Sequence, residues 1–374
     1  MIIRNIEKSI RALLNGEKAI IILGARQVGK STLLKQLLSG REDVLWMNGD
    51  ELDIQELFSN MTSTRIKAIL GNNKILVVDE AQRINDIGLR LKLITDQIKN
   101  VQVIATGSSS FELANRVNES LTGRKREFKM FPLTFSEMVD HTSFLDETRM
   151  IPHRMIYGYY PEVVTTPGEE RAILKELTNS YLYKDILALE SINKPDKLIR
   201  LVKALALQIG SQVSYNELGN LIGIDSKTVE RYIDILEKSF ILFRLDSYSR
   251  NHRNELKSSR KIYFWDLGIR NAIIGNLSQI ENRTDTGELW ENFVIAERLK
   301  KNMYNESFAQ SYFWRTRQQH EIDYLEEEDG QLLSFEFKWN EKRANAKCPE
   351  SFMNSYPNSI YKVITPKNIE EFLM

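Results

Sequence analysis

The chain has 374 residues, with 42% apolar and 27% charged, and its 51 basic residues balance its 51 acidic ones. This composition predicts a globular protein of two or three domains and excludes a surface that is basic throughout. A single cysteine, Cys348, excludes an internal disulfide and fits a reducing compartment. Charges interrupt the N-terminal residues too early for a signal-peptide core, and no stretch is apolar enough to span a bilayer, so we expect a cytoplasmic protein without membrane contact.

In chain order, short apolar runs alternate with helical patterns. Lys18 to Leu23 (KAIIIL), Val44 to Asn48 (VLWMN), Ile75 to Asp79 (ILVVD) and Val101 to Thr106 (VQVIAT) read as buried strands. Phe128 to Leu133 (FKMFPL) is a candidate closing strand, and Ile87 to Ile98 reads as one of the intervening helices. The alternation predicts an α/β fold, with a parallel sheet covered by helices on both faces. We expect this domain over 1–149. A helical lid or linker follows over 150–195, including a helix around Arg171 to Leu189, then a winged-helix unit over 196–270. A small α/β domain is expected over 271–374.

The first apolar run leads into Gly24-Ala25-Arg26-Gln27-Val28-Gly29-Lys30-Ser31, and Thr32 continues a helix. A strand, then GxxxxGK[ST], then a helix is the context of a phosphate-binding P-loop. Its backbone N–H groups cradle phosphates, Lys30 reaches the terminal phosphates and Ser31 binds Mg²⁺. ATP and Mg²⁺ are therefore the expected ligands. ILVVD ends in Asp79 and Glu80: Asp79 is expected to hold the Mg²⁺, directly or through water, and Glu80 to polarise the attacking water. VQVIAT ends in GSSS, where Ser108 or Ser109 is a candidate sensor of the γ-phosphate, or a cap of the next helix. Arg124, followed by Lys125 and Arg126, is a candidate for transition-state neutralisation within the chain or in a neighbour's site, or else belongs to a charged loop.

GARQVGKSTLL, ILVVDEAQRI, ATGSSS, LTGR with FPLTFSEM, GYYPEV and YLYKDI together resemble a group of bacterial and archaeal AAA-like P-loop ATPases that carry a C-terminal domain of unknown function. The resemblance covers nearly the whole chain. It implies ATPase activity and leaves the biological role open.

Further on, Gln212 to Glu237 reads as a helix-turn-helix. Its first helix ends at Gly223, and Asp225 or Ser226 caps the second. Val229, Ile233 and Leu236 face the core; Lys227, Glu230, Arg231 and Asp234 point away. The hairpin from Ile241 to Phe264 is the expected wing, where Arg250, Arg253, Lys257, Arg260 and Lys261 outweigh Glu255. DNA is one candidate partner of this unit; a protein partner or self-association is another.

Near the C-terminus, Asp329-Gly330 predicts a two-residue hairpin loop. Glu328 then faces Gln331, Asp323 faces Glu336 and Glu321 faces Lys338. Glu336 and Lys338 share one face, opposite Phe335 and Phe337. Facing carboxylates repel unless a cation lies between them. The Asp…Glu-x-Lys pattern resembles the PD-(D/E)xK nuclease-like fold, in which Asp323, Glu336 and a helical Glu291 (with Glu288 second) would hold Mg²⁺ and Lys338 would position water. Arg315 and His320 are further candidates for phosphate contact. A solvent-facing, salt-bridged hairpin is the alternative.

Overall fold

The computed structural model describes residues 2–108, 121–179, 194–249 and 259–374. These form two compact units: residues 1–132 with 238–240, and residues 133–237 with 241–374.

The first unit is built on five parallel strands: β1 (Ala19–Gly24), β2 (Val44–Asn48), β3 (Ile75–Asp79), β4 (Gln102–Gly107) and β5 (Lys125–Met130), in the order β2-β3-β4-β1-β5. Every residue of β1 and β4 is buried, as are the first four of β3, whereas β2 and β5 at the edges are partly exposed. That gradient is why the central strands read as continuous apolar runs. The closing strand lies at Lys125–Met130, earlier than the apolar run FKMFPL suggests. Pro132 has no N–H to donate to a ladder, and the strand ends before it. Because β4 lies between β1 and β3, the polar residues at its end stand between the P-loop and the acidic end of β3.

The second unit begins at Leu133, so residues 133–149 pack with it and not with the P-loop sheet. Thr134 starts the helix Phe135–His141 with a capping box to Glu137, and Phe135 N donates to Glu297 Oε2 at 2.7 Å. The helices Tyr215–Ile222 and Ser226–Lys238 follow the expected helix-turn-helix. Gly223 ends the first in the left-handed region, at φ 73°, where a β-carbon is unfavourable. Asp225 caps the second through Thr228 N at 2.9 Å. Val229, Ile233 and Leu236 are fully buried. Of the predicted helix Arg171 to Leu189, the described part runs over Glu170–Leu177; the YLYKDI segment lies outside the described residues.

One seven-stranded sheet runs through this unit. Its strands are β6 (Gln212–Val213), β7 (Leu242–Ser247), β8 (Arg260–Phe264), β9 (Gln310–Arg315), β10 (Glu321–Glu328), β11 (Gln331–Phe337) and β12 (Ile360–Ile364), in the order β12-β11-β10-β9-β7-β8-β6. The β7–β8 hairpin is therefore not free-standing: β7 pairs parallel with β9. The C-terminal hairpin has the predicted register, with Glu328 opposite Gln331 and Tyr324 opposite Phe335. The long helix Thr286–Tyr304 packs against β8 and β11.

Candidate functional site

The P-loop is held from several directions. A β-carbon on Gly24 would stand 2.1 Å from Met130 O, so only glycine lets β1 lie this close to the end of β5. Gly29 takes φ 95° and Gln27 φ 61°, which turns successive backbone N–H groups into a concave anion nest. Buried Arg4 donates to Val28 O and Phe131 O, each at 2.7 Å, fastening the loop to the strand end beside it. Lys30 is 5% exposed, and its Nζ donates to Gly24 O at 2.9 Å and Ala25 O at 2.8 Å. Desolvation lowers its pKa to about 8, against the opposing pull of Glu80 and Asp79. Thr32 is exposed in the first turn of the helix Lys30–Leu37.

The end of β3 faces this loop. Ser31 Oγ donates to Asp79 Oδ2 at 2.6 Å, and Thr106 Oγ1 donates to Asp79 Oδ1. Glu80 adopts a left-handed conformation, φ 49°, and its N–H lies 3.2 Å from Thr106 Oγ1. Buried Gln82 ties the carboxylate to the strand between: its Nε2 donates to Glu80 Oε2 at 2.5 Å and to Ser108 Oγ at 2.9 Å. Among the described residues, Gln82 Oε1 is buried without a partner. A hydroxyl and a carboxylate joined by one hydrogen bond, with an ammonium held only by neutral carbonyls, suit a Mg²⁺–nucleotide.

A second acidic cluster lies in the C-terminal sheet. One extra residue in β10 between Ile322 and Leu325 disturbs the pairing with β9, so Asp323 sits on a bulge. Continuing the β10–β11 register by one pair sets Asp323 level with Glu336, and Asp323 Oδ2 accepts from Phe337 N at 2.8 Å. Lys338 pairs with Glu336 and not with Glu321. Glu291, on the long helix, accepts from Tyr263 OH at 2.6 Å and Lys261 Nζ at 2.9 Å, both at Oε1. Lys261 also pairs with Glu321 at 2.5 Å, and Arg315 pairs with Glu321 at 3.3 Å. Desolvation, then the charges of Glu291 and Glu336, push Asp323 well above the usual carboxylate range. Among the described residues, no three His, Cys, Asp or Glu side chains are grouped so as to hold a metal ion. The residues here do not fit a metal centre, because Lys261 and Lys338 already take Glu291, Glu321 and Glu336.

Residues 16–139 match the AAA domain family. Two families described as domains of unknown function match later segments, DUF8612 over 148–280 and DUF4143 over 286–369. An uncharacterized protein of Mycobacterium tuberculosis is 25% identical over 339 residues, which is 90% of this chain and 73% of that protein. One of Methanocaldococcus jannaschii is 24% identical over 342 residues, covering 86% and 74%. Among solved structures, a Walker-type ATPase of Pyrococcus abyssi is similar with a TM-score of 0.52 at 16% identity, covering 73% of this chain and 96% of that one. The first unit has the P-loop NTPase fold.

Within the AAA segment the structure brings Lys30, Ser31, Asp79, Glu80 and Ser108 together. It does not bring Arg124 to them. Ala19 N donates to Arg124 O, and Lys125 and Arg126 pair with Ala19 and Ile20. All three basic residues thus stand at the amino end of the sheet, a strand's length from the P-loop, and Arg124 pairs with Asp96 at 2.6 Å. A role for Arg124 within its own chain's site does not survive this topology. Ser109 lies outside the described residues, as do Arg250, Arg253, Glu255 and Lys257 of the wing.

Lys261 needs a further correction: expected on an exposed wing, it is 2% exposed and faces Glu291 and Glu321. Arg260 is engaged with Glu230 and Asp246. Sequence reasoning passed over Arg4, Gln82, Thr106 and Tyr263. Only Gln82 left a signal, by its place two residues after Glu80. Among the described residues no helix is long and apolar enough to cross a membrane.

Proposed function

We propose that the chain binds Mg²⁺–ATP at the P-loop and hydrolyses it. The observation that carries this reading is the 2.6 Å hydrogen bond from Ser31 to Asp79 beside a P-loop lysine held only by carbonyls. Mg²⁺ held by Ser31 with Asp79 would neutralise phosphate charge. The loop's N–H groups bind phosphate oxygens, and Lys30 exchanges two carbonyl acceptors for anionic ones. Glu80 orients the water and takes its proton, and Ser108, bonded to Gln82 beside Glu80, would sense the terminal phosphate. Steady-state phosphate release by the wild type, lost in Lys30→Ala and Glu80→Gln, tests this. Turnover that persists in both variants sinks it.

The nucleotide state would act through the second unit, on DNA contacted by the helix-turn-helix and the nuclease-like sheet. A second reading, an ATP-controlled switch that binds a protein partner, has a specific observation in its favour. On the helix Ser226–Lys238, Asp234 pairs with Arg244 at 2.7 Å and Glu230 with Arg260 at 3.6 Å. Arginines tied up by acidic residues on the same surface are poorly placed to neutralise phosphates. ATPase stimulation by DNA that falls steeply with salt would favour the first reading; stimulation by no nucleic acid would favour the second.

A further inference from the structure

We propose that Lys261 is the resident cation of the C-terminal carboxylate cluster, so that this sheet is a charge-compensated scaffold and not a metal-dependent nuclease. Lys261 is fixed on β8, where it pairs with Leu245 of β7 and Gln212 of β6, so its backbone is held from both sides. Its Nζ lies between Glu291 Oε1 at 2.9 Å and Glu321 Oε1 at 2.5 Å, and 5.4 Å from the centre of the Phe313 ring. Glu291 is the carboxylate that a metal would require from the helix. Its Oε1 already accepts from Lys261 and from Tyr263, which uses both of that oxygen's lone pairs.

Of the other two carboxylates, Glu336 is paired with Lys338, and Asp323 Oδ2 accepts from Phe337 N. A divalent ion bound to Glu291 would sit on the same carboxylate as the ammonium of buried Lys261, and like charges that close repel. Lys261 reaches Glu291 of the long helix and Glu321 of β10 from β8, a strand that the sheet order separates from β10 by β9 and β7. That solution requires β8 to belong to the same sheet, and it does.

The test uses the full chain carrying Asp79→Asn, which silences the P-loop carboxylate, with Mn²⁺ alone as the probe and electron paramagnetic resonance of free Mn²⁺ as the readout. We expect this chain to take up no more Mn²⁺ than the same chain with Glu336→Gln. Adding Lys261→Met, which keeps the stem and removes the charge, should tighten Mn²⁺ binding at least about tenfold, because a cation then has unpaired carboxylates to meet. Asp323→Asn should reverse that gain. Mn²⁺ uptake with Lys261 intact that is lost on Glu336→Gln overturns the proposal, and so does a folded Lys261→Met chain that binds Mn²⁺ no better. If Lys261→Met fails to fold, the comparison of Glu336 with Glu336→Gln decides alone.

Discussion

Two strand ends in this protein present acidic residues beside a lysine, and they solve the problem of charge in opposite ways. At the P-loop, Lys30 rests on the carbonyls of Gly24 and Ala25, while Asp79 is held by the hydroxyls of Ser31 and Thr106. Each charge has neutral partners and is free to exchange them for a charged ligand. In the C-terminal sheet, Lys261 and Lys338 rest on Glu291, Glu321 and Glu336 themselves. There the opposite charges have already met. The lesson is that residue type does not make a site; what the residues are already bonded to does.

The largest expected effect breaks the P-loop half of this contrast. Lys30→Ala should lower ATP turnover by about a thousandfold or more, read as phosphate release, with the unfolding of the second unit unchanged. Glu80→Gln should cost roughly a hundredfold or more in kcat while a fluorescent ATP analogue still binds, since the acid acts on water and not on phosphate. The C-terminal half breaks differently. Lys261→Ala should destabilise the second unit by about 2–3 kcal/mol, because it leaves two partly buried carboxylates without their cation, and a urea unfolding curve would show it. ATP affinity should not move.

A smaller effect comes from pH. Lys30 has a pKa of about 8, so its ammonium is lost as pH rises through that value, and phosphate binding favours the charged form. ATP affinity should therefore be greatest below pH 8 and fall above it. Lys30→Arg should flatten the profile, and a flat profile in the wild type would show that Lys30 stays charged in the free protein. The smallest effect is at Gln82, which acts through Glu80 and Ser108. Gln82→Ala should lower kcat by about tenfold with KM little changed.

The parallel sheet and the P-loop were legible because buried parallel strands must be continuously apolar and a phosphate cradle must have glycines at set places. The C-terminal register was legible too, since Asp329-Gly330 fixes the loop and the loop fixes every pair after it. What could not be read was which cation would answer Glu291 and Glu321. Lys261 lies far from them in sequence, and on periodicity alone it belonged to an exposed wing. Arg124 failed for a related reason. Its charge made it a candidate for transition-state neutralisation, but the direction in which β5 runs carries it to the wrong end of the sheet.

The parallel pairing of β7 with β9 has a consequence for how this chain can be divided. The two matched families of unknown function meet between residues 280 and 286, yet strands from before and after that seam share one hydrogen-bonded ladder, Asp246 with Tyr312 and Ser247 with Phe313. A fragment cut at the seam would expose a raw sheet edge on each piece, a template for pairing with other chains. In recombination or in cloning, residues 210–374 should travel as one inheritance.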